Sequence, residues 1–240
     1  MSTRFVIVMP LYEDVNLFDV AAPRELFGWW SNMDRNQEIE LVCVAKSAGE
    51  IETYSPNSQF PGLKIVAEKS FSDIESADLL WVPGGSSDAL KREMENADHM
   101  RFLKRIAADA TYVTSVCEGA LLLAKAGLLN GFKATTHWAF LKCLSQFPEI
   151  DVIPDPNSSA PPEFPRFIVD DHGGELTKGI RSTGGGISSA VDESLELIRI
   201  IGGTEIAKSI QRVTQYFPSP PVTADPLNFT ECQMGVLVKN

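Results

Sequence analysis

Three short runs of this chain are apolar or β-branched at almost every position: Phe5-Val6-Ile7-Val8-Met9, Leu79-Leu80-Trp81-Val82 and Tyr112-Val113-Thr114-Ser115-Val116. A strand with one wet face alternates apolar and polar residues, whereas a strand covered on both faces has no need to. A fourth run, Ile39-Glu40-Leu41-Val42-Cys43-Val44-Ala45, reads the same way, and further strands are expected near residues 167–169 and 180–182. Helical patterns lie between and after them: residues 23–30 with Pro23 in the first turn, 96–108, 119–126 closed by Gly127, 138–147, 188–201 and 204–216. Strand and helix in alternation give an α/β fold, a mostly parallel sheet covered on both sides. The polar stretch 47–62 reads as a loop or hairpin excursion, and residues 154–165, with five prolines, as a second irregular segment. Neither separates domains, so residues 1–221 are read as a single domain and 222–240 as an extended tail.

Charge narrows the partners. Lys and Arg number 21 against 32 Asp and Glu, a net charge of −11 with no basic cluster. Nucleic acids and anionic membrane surfaces both need a basic footprint, and neither is expected as a partner. No apolar run is long enough to span a bilayer. The first strand follows the N-terminal Met almost directly, without a cleavage-site pattern, which predicts a cytoplasmic location. The four cysteines, Cys43, Cys117, Cys143 and Cys232, match no zinc spacing and are read as free thiols. No metal or cofactor is expected.

The chemistry concentrates where strands end. Thr111 to Val116 runs into Cys117-Glu118-Gly119 and then Ala120-Leu121-Leu122-Leu123-Ala124. Strand, sharp turn and immediate helix form a nucleophile elbow, which thrusts Cys117 out at the carboxyl edge of the sheet. The helix N-terminus there favours a thiolate. Pro83-Gly84-Gly85 ends a parallel strand at the same edge, and the N–H groups of Gly85 and Glu118 are positioned to form an oxyanion hole. Thr183-Gly184-Gly185-Gly186-Ile187 lacks the spacing of a nucleotide loop and reads as close backbone packing beside the elbow. His99 lies in a charged helix and is expected to be solvated. His172 lies in a turn, and His137 starts a helix. With no histidine next to Cys117, a carboxylate is the better acid or base. Asp19, flanked by apolar residues in Leu17-Phe18-Asp19-Val20, is either a helix N-cap or a buried acid with a raised pKa.

These segments, together with Ala134-Thr135-Thr136-His137-Trp138-Ala139 and Ala126-Gly127-Leu128-Leu129, resemble the ThiJ/PfpI superfamily of class I glutamine-amidotransferase-like proteins, and within it most closely the isonitrile hydratases. The resemblance spans nearly the whole chain. It implies a flavodoxin-like three-layer sandwich and a homodimer. It also implies a small-molecule substrate, with Cys117 as nucleophile, Asp19 as essential acid/base, and Gly84, Gly85 and Ile187 around the substrate. The implied reaction is hydration of an isocyanide to a formamide. The alternatives are a redox-sensing or non-enzymatic member, or a cysteine-dependent hydrolase or lyase acting on another small electrophile. One position departs from the hydratase pattern: Glu118 stands where that pattern has threonine, and it joins the catalytic candidates, with a protonated or shared-proton state expected.

Overall fold

The computed structural model describes residues 3–57, 59–158, 163–225, 227 and 229–238. Among these residues, eleven strands and seven α-helices follow in chain order: β1 (Thr3–Pro10), α1 (Leu17–Met33), β2 (Gln37–Ala45), β3 (Gly49–Glu52), β4 (Lys64–Ala67), β5 (Lys69–Ser70), β6 (Leu79–Val82), α2 (Ser87–Glu95), α3 (Ala97–Ala107), β7 (Tyr112–Ser115), α4 (Gly119–Lys125), β8 (Lys133–Ala134), α5 (Leu141–Leu144), β9 (Asp151–Val152), β10 (Phe167–Asp170), β11 (Ile180–Gly184), α6 (Ser189–Ile201) and α7 (Thr204–Val213). Seven strands form the central sheet in the order β10-β11-β7-β6-β1-β2-β5. Six run parallel, and β10 pairs antiparallel with β11 at one edge.

Helices α1, α6 and α7 pack together on one face, and α2 to α5 on the other. The molecule is therefore a three-layer α/β sandwich of the flavodoxin-like kind. The apolar runs are buried from both sides: Ile7, Val8, Leu79, Leu80 and Val113 are fully enclosed. Strand order reverses at β1, since β2 lies on one side of it and β6 on the other. In such sheets the crevice beyond the carboxyl ends at the reversal is where ligands gather. The β3–β4 hairpin lies at that same end. Val15, just after β1, bridges Thr53 on one side and Gly85 on the other.

Three expectations are corrected. Cys143 and Cys232 are not free: their Cα atoms lie 4.5 Å apart and their sulfurs are joined in a disulfide. The tail returns to the segment just after α5, where Gln146 both donates to the Gly235 carbonyl and accepts the Leu237 N–H, and Met234 is buried. His99 is fully buried and not solvated; its Nδ1 lies 2.7 Å from Glu93 Oε2. Finally, α1 begins at Leu17, six residues before Pro23, which stands inside the helix.

Candidate active site

Four strand ends converge. Asn16 and Asp19 follow β1, Gly84 and Gly85 follow β6, Cys117 and Glu118 follow β7, and Gly185 follows β11. Cys117 has φ +55°, the left-handed backbone an elbow requires. A side chain held there carries about 1–3 kcal/mol of strain, which its surroundings must offset. They do so by gripping the peptide on both sides. The Cys117 N–H donates to the Gly185 carbonyl at 2.8 Å, and its carbonyl accepts the Thr136 hydroxyl at 2.7 Å. The turn is tight enough that a Cβ on Gly119 would stand 2.1 Å from the Val82 carbonyl oxygen. No larger residue fits there.

Asp19 lies in the first turn of α1, fully buried, and is not the N-cap. Asn16 occupies that position and makes no side-chain cap bond. The Asn16 amide is turned into the site instead, 3.4 Å from Glu118 Oε2 and 3.9 Å from Cys117 Sγ. Pro23 explains how Asp19 is held. A residue four positions after Asp19 would normally donate its N–H to the Asp19 carbonyl, and proline has none. The Trp81 indole N–H on β6 fills the gap at 2.9 Å. Asp19 Oδ2 accepts the Gly84 N–H at 2.9 Å, while Oδ1 has no partner among the described residues. The acid is thus tied to β6 through both its backbone and its side chain.

Electrostatics follow from burial. Asp19 is pushed up to about 8, first by desolvation and then by the Glu118 charge, against the opposing pull of the Gly84 N–H and the Asn16 amide. The Cys117 thiol is held well above its ordinary value by burial, by the charges of Glu118 and Asp19, and by a hydrogen bond to the Glu118 carboxyl. A hydrogen bond that raises a thiol's pKa stabilises its protonated form, so the thiol is the donor. Glu118 is buried, not turned to solvent, and burial raises it. The thiol, its own N–H and the Gly85 N–H all pull the other way. Of the two N–H groups expected to form an oxyanion hole, that of Gly85 acts on the Glu118 carboxyl, and that of Glu118 on both this carboxyl and the Cys117 thiol. Gly84 must stay bare, since a Cβ there would stand 2.9 Å from the Glu118 backbone nitrogen.

Asp19, Cys117 and Glu118 each present a ligand atom within 4.8 Å of the others, a spacing that a metal ion could bridge. Asp19 and the Cys117 thiol, both raised by burial, would have to lose their protons first.

Beside the elbow lies a cavity of about 510 Å³, lined by Phe18, Trp138, Phe164, Ile187 and the two residues that grip Cys117, Thr136 and Gly185. Ile187 is thus on a cavity wall and not in the carboxyl cluster. Among the described residues, the cavity lining carries no unpaired charged side chain. Arg166 is paired with Asp192 at 2.7 Å, and burial lowers the His137 pKa. His137 Nδ1 accepts the Ala139 N–H, so this histidine caps the short 3₁₀ turn at Trp138–Phe140. His172 lies in an exposed turn. Sequence reasoning missed Asn16 and Trp81. The first had a signal, an Asn directly before a helix; the second, 62 residues from Asp19, had none.

This geometry is that of a buried cysteine elbow with paired acids, and comparison with known proteins gives it a family. Residues 7–163 match the DJ-1/PfpI family, and the chain belongs to that family. It is 35% identical over 166 residues to the isonitrile hydratase of Pseudomonas putida, a match covering 69% of this chain and 64% of that protein, just under two thirds of its length. A ThiJ/PfpI family protein from Pseudomonas syringae superposes with a TM-score of 0.75 at 27% identity, over 94% of this chain and 80% of that one. DJ-1beta of Drosophila melanogaster shares the fold at 14% identity, with a TM-score of 0.68 over 90% and 98% of the two chains.

Proposed function

We propose that this protein hydrates isocyanides, R–N≡C, to N-substituted formamides through a covalent Cys117 adduct. The observation that carries the reading is the buried Cys117 thiol with two buried carboxyls, Asp19 and Glu118, all within 4.8 Å of one another; burial raises Asp19, and the thiol donates to Glu118. The similarity to an isonitrile hydratase supports it. The terminal carbon of an isocyanide accepts both a nucleophile and a proton, so an acid and a thiol at one point are the groups required. Sγ adds to that carbon as its proton passes to the Glu118 carboxylate, and Asp19 protonates the same carbon, giving the thioimidate R–N=CH–S. The Asp19 carboxylate then takes a proton from water, whose oxygen attacks the carbon while Glu118 returns its proton to nitrogen. The C–S bond breaks, the hydroxyl proton goes to sulfur, and R–NH–CHO leaves. Every proton and electron pair is accounted for by the substrate, one water and these three side chains. The neighbouring cavity suits an uncharged R group.

A redox-sensing role fits less well. Sensor thiols are exposed and ionised, whereas Cys117 is 1% exposed with a raised pKa. We also propose a homodimer, supported by the exposed apolar side chains of Phe18, Trp138 and Ile187 at the cavity. A light-scattering mass of one chain at every concentration would count against it. A cytoplasmic location would keep Cys143 and Cys232 as thiols, so the disulfide weighs against that expectation.

The deciding experiment offers wild type and Cys117→Ser a panel of alkyl and aryl isocyanides and measures formamide. The reading requires formamide from wild type and none from Cys117→Ser above the uncatalysed rate. Absence of formamide across the whole panel overturns it.

A further inference from the structure

A third acid lies under the same site and has no part in the chemistry above. Glu193, in the second turn of α6, is fully buried. Its Oε1 accepts the Ser182 hydroxyl at 2.7 Å, and its Oε2 has no partner among the described residues. A carboxylate with one neutral donor and no cation does not stay ionised in such a place. Burial raises its pKa, and the Asp19 charge, reaching it from the packed helix α1, acts in the same direction. Ser182 opposes this, and no cation faces Glu193 from α1, α6 or β11 among the described residues.

The position of Glu193 makes it more than an enclosed acid. Successive residues of a strand point to opposite faces. On β11, Ser182 and Gly184 present the face toward Glu193: a Cβ on Gly184 would stand 2.3 Å from Glu193 Oε2 and 3.1 Å from Val116 Cγ2. The intervening and following residues grip the elbow. Thr183 Oγ1 accepts the Thr135 N–H at 2.8 Å, which places Thr136 to donate to the Cys117 carbonyl, and the Gly185 carbonyl accepts the Cys117 N–H.

We infer that Glu193 is a positioning residue: a neutral acid that fixes the end of β11, and through Thr183 and Gly185 holds Cys117 in its strained backbone conformation. Its neutrality matters as much as its shape. A charge there would oppose the ionisation of Asp19, whose own charge reaches Glu193 from α1. The inference rests on Cys117 being the nucleophile and is independent of which electrophile it meets.

The test measures the rate of Cys117 alkylation by iodoacetamide between pH 5 and 10, with mass mapping, in wild type, Glu193→Gln and Glu193→Leu, each well below its melting temperature. Gln keeps an acceptor for Ser182 and cannot ionise. Its rate–pH curve is expected to coincide with that of wild type. Leu removes the acceptor, and its curve should fall roughly tenfold or shift, as when one member of a coupled network is lost. A shifted curve for Glu193→Gln would mean that Glu193 carries charge in the working range, and the inference fails. A Glu193→Leu curve identical to wild type would mean that Glu193 positions nothing, and it fails again. Failure of Glu193→Gln to fold overturns it too, because the amide can make the bond that Ser182 makes now. None of these outcomes depends on isocyanide turnover, so the hydration reading stands or falls separately.

Discussion

Asp19 is destabilising where it stands, and the sign can be read from its pKa. Unfolded, it releases its proton near 3.8; folded, near 8. Between those values the unfolded chain is the one that ionises freely, so stability falls as pH rises through the window, by about 1.4 kcal/mol per pH unit for one such group. Glu118 and Glu193 are raised as well and add to the slope. Melting temperature is therefore expected to fall between mildly acid pH and pH 8. Asp19→Asn should flatten that fall and melt higher than wild type at pH 8, while losing about 10²-fold or more in turnover. An Asp19→Asn protein that turns over normally removes Asp19 from the mechanism. Glu118 gives the complementary case. Its charge and its hydrogen bond both raise the Cys117 pKa. Glu118→Thr should therefore move the alkylation–pH curve of Cys117 to lower pH, so that labelling at neutral pH speeds up while hydration slows for want of a proton acceptor. Coincident alkylation curves for wild type and Glu118→Thr would show that the carboxyl does not act on the thiol.

At the scale of elements, the helix that carries Asp19 is held by a side chain from another strand. Trp81→Phe removes the indole donor and leaves the Asp19 carbonyl buried and unpaired, which costs about 1–3 kcal/mol beyond the lost volume. Pro23→Ala restores a backbone N–H able to reach that carbonyl. In the Pro23→Ala background the cost of Trp81→Phe should shrink by about 1 kcal/mol or more, measured by urea unfolding of the four proteins. Strict additivity would mean that the indole and the missing N–H are unrelated. This pairing also marks the limit of what the chain discloses locally. The apolar runs at β1, β6 and β7 and the Cys117-Glu118-Gly119 turn were legible because burial on both faces and a sharp turn leave local signatures. The start of α1 was obscured because proline normally opens a helix, and only a remote indole permits it inside one. His99 and Glu193 had a signal that charge concealed. His99 shares a helical face with Phe102, Leu103 and Ile106, and Glu193 with Ala190, Leu197 and Ile198, and all of these are buried. Position on the face, not polarity, decided their burial.

For the molecule as a whole, the disulfide is the largest departure from expectation, and sequence spacing alone cannot pair two cysteines 89 residues apart. Closing so long a loop restricts the unfolded chain, and removing such a bond typically lowers stability by roughly 2–4 kcal/mol. Cys232→Ser should show that loss, and a reducing agent should impose it on wild type but not on the variant. Thiol titration of the unfolded protein should find two free groups, Cys43 and Cys117, before reduction and four after. Four before reduction would rule the bond out.

The same bond alters what a cut in the backbone would mean. Lys178 lies in an exposed turn between β10 and β11, within the segment that the bond encloses. Trypsin acting there would part the peptide between Cys143 and Cys232 without parting the molecule. On a denaturing gel the cleaved chain should run as one band until reductant is added, and then as two.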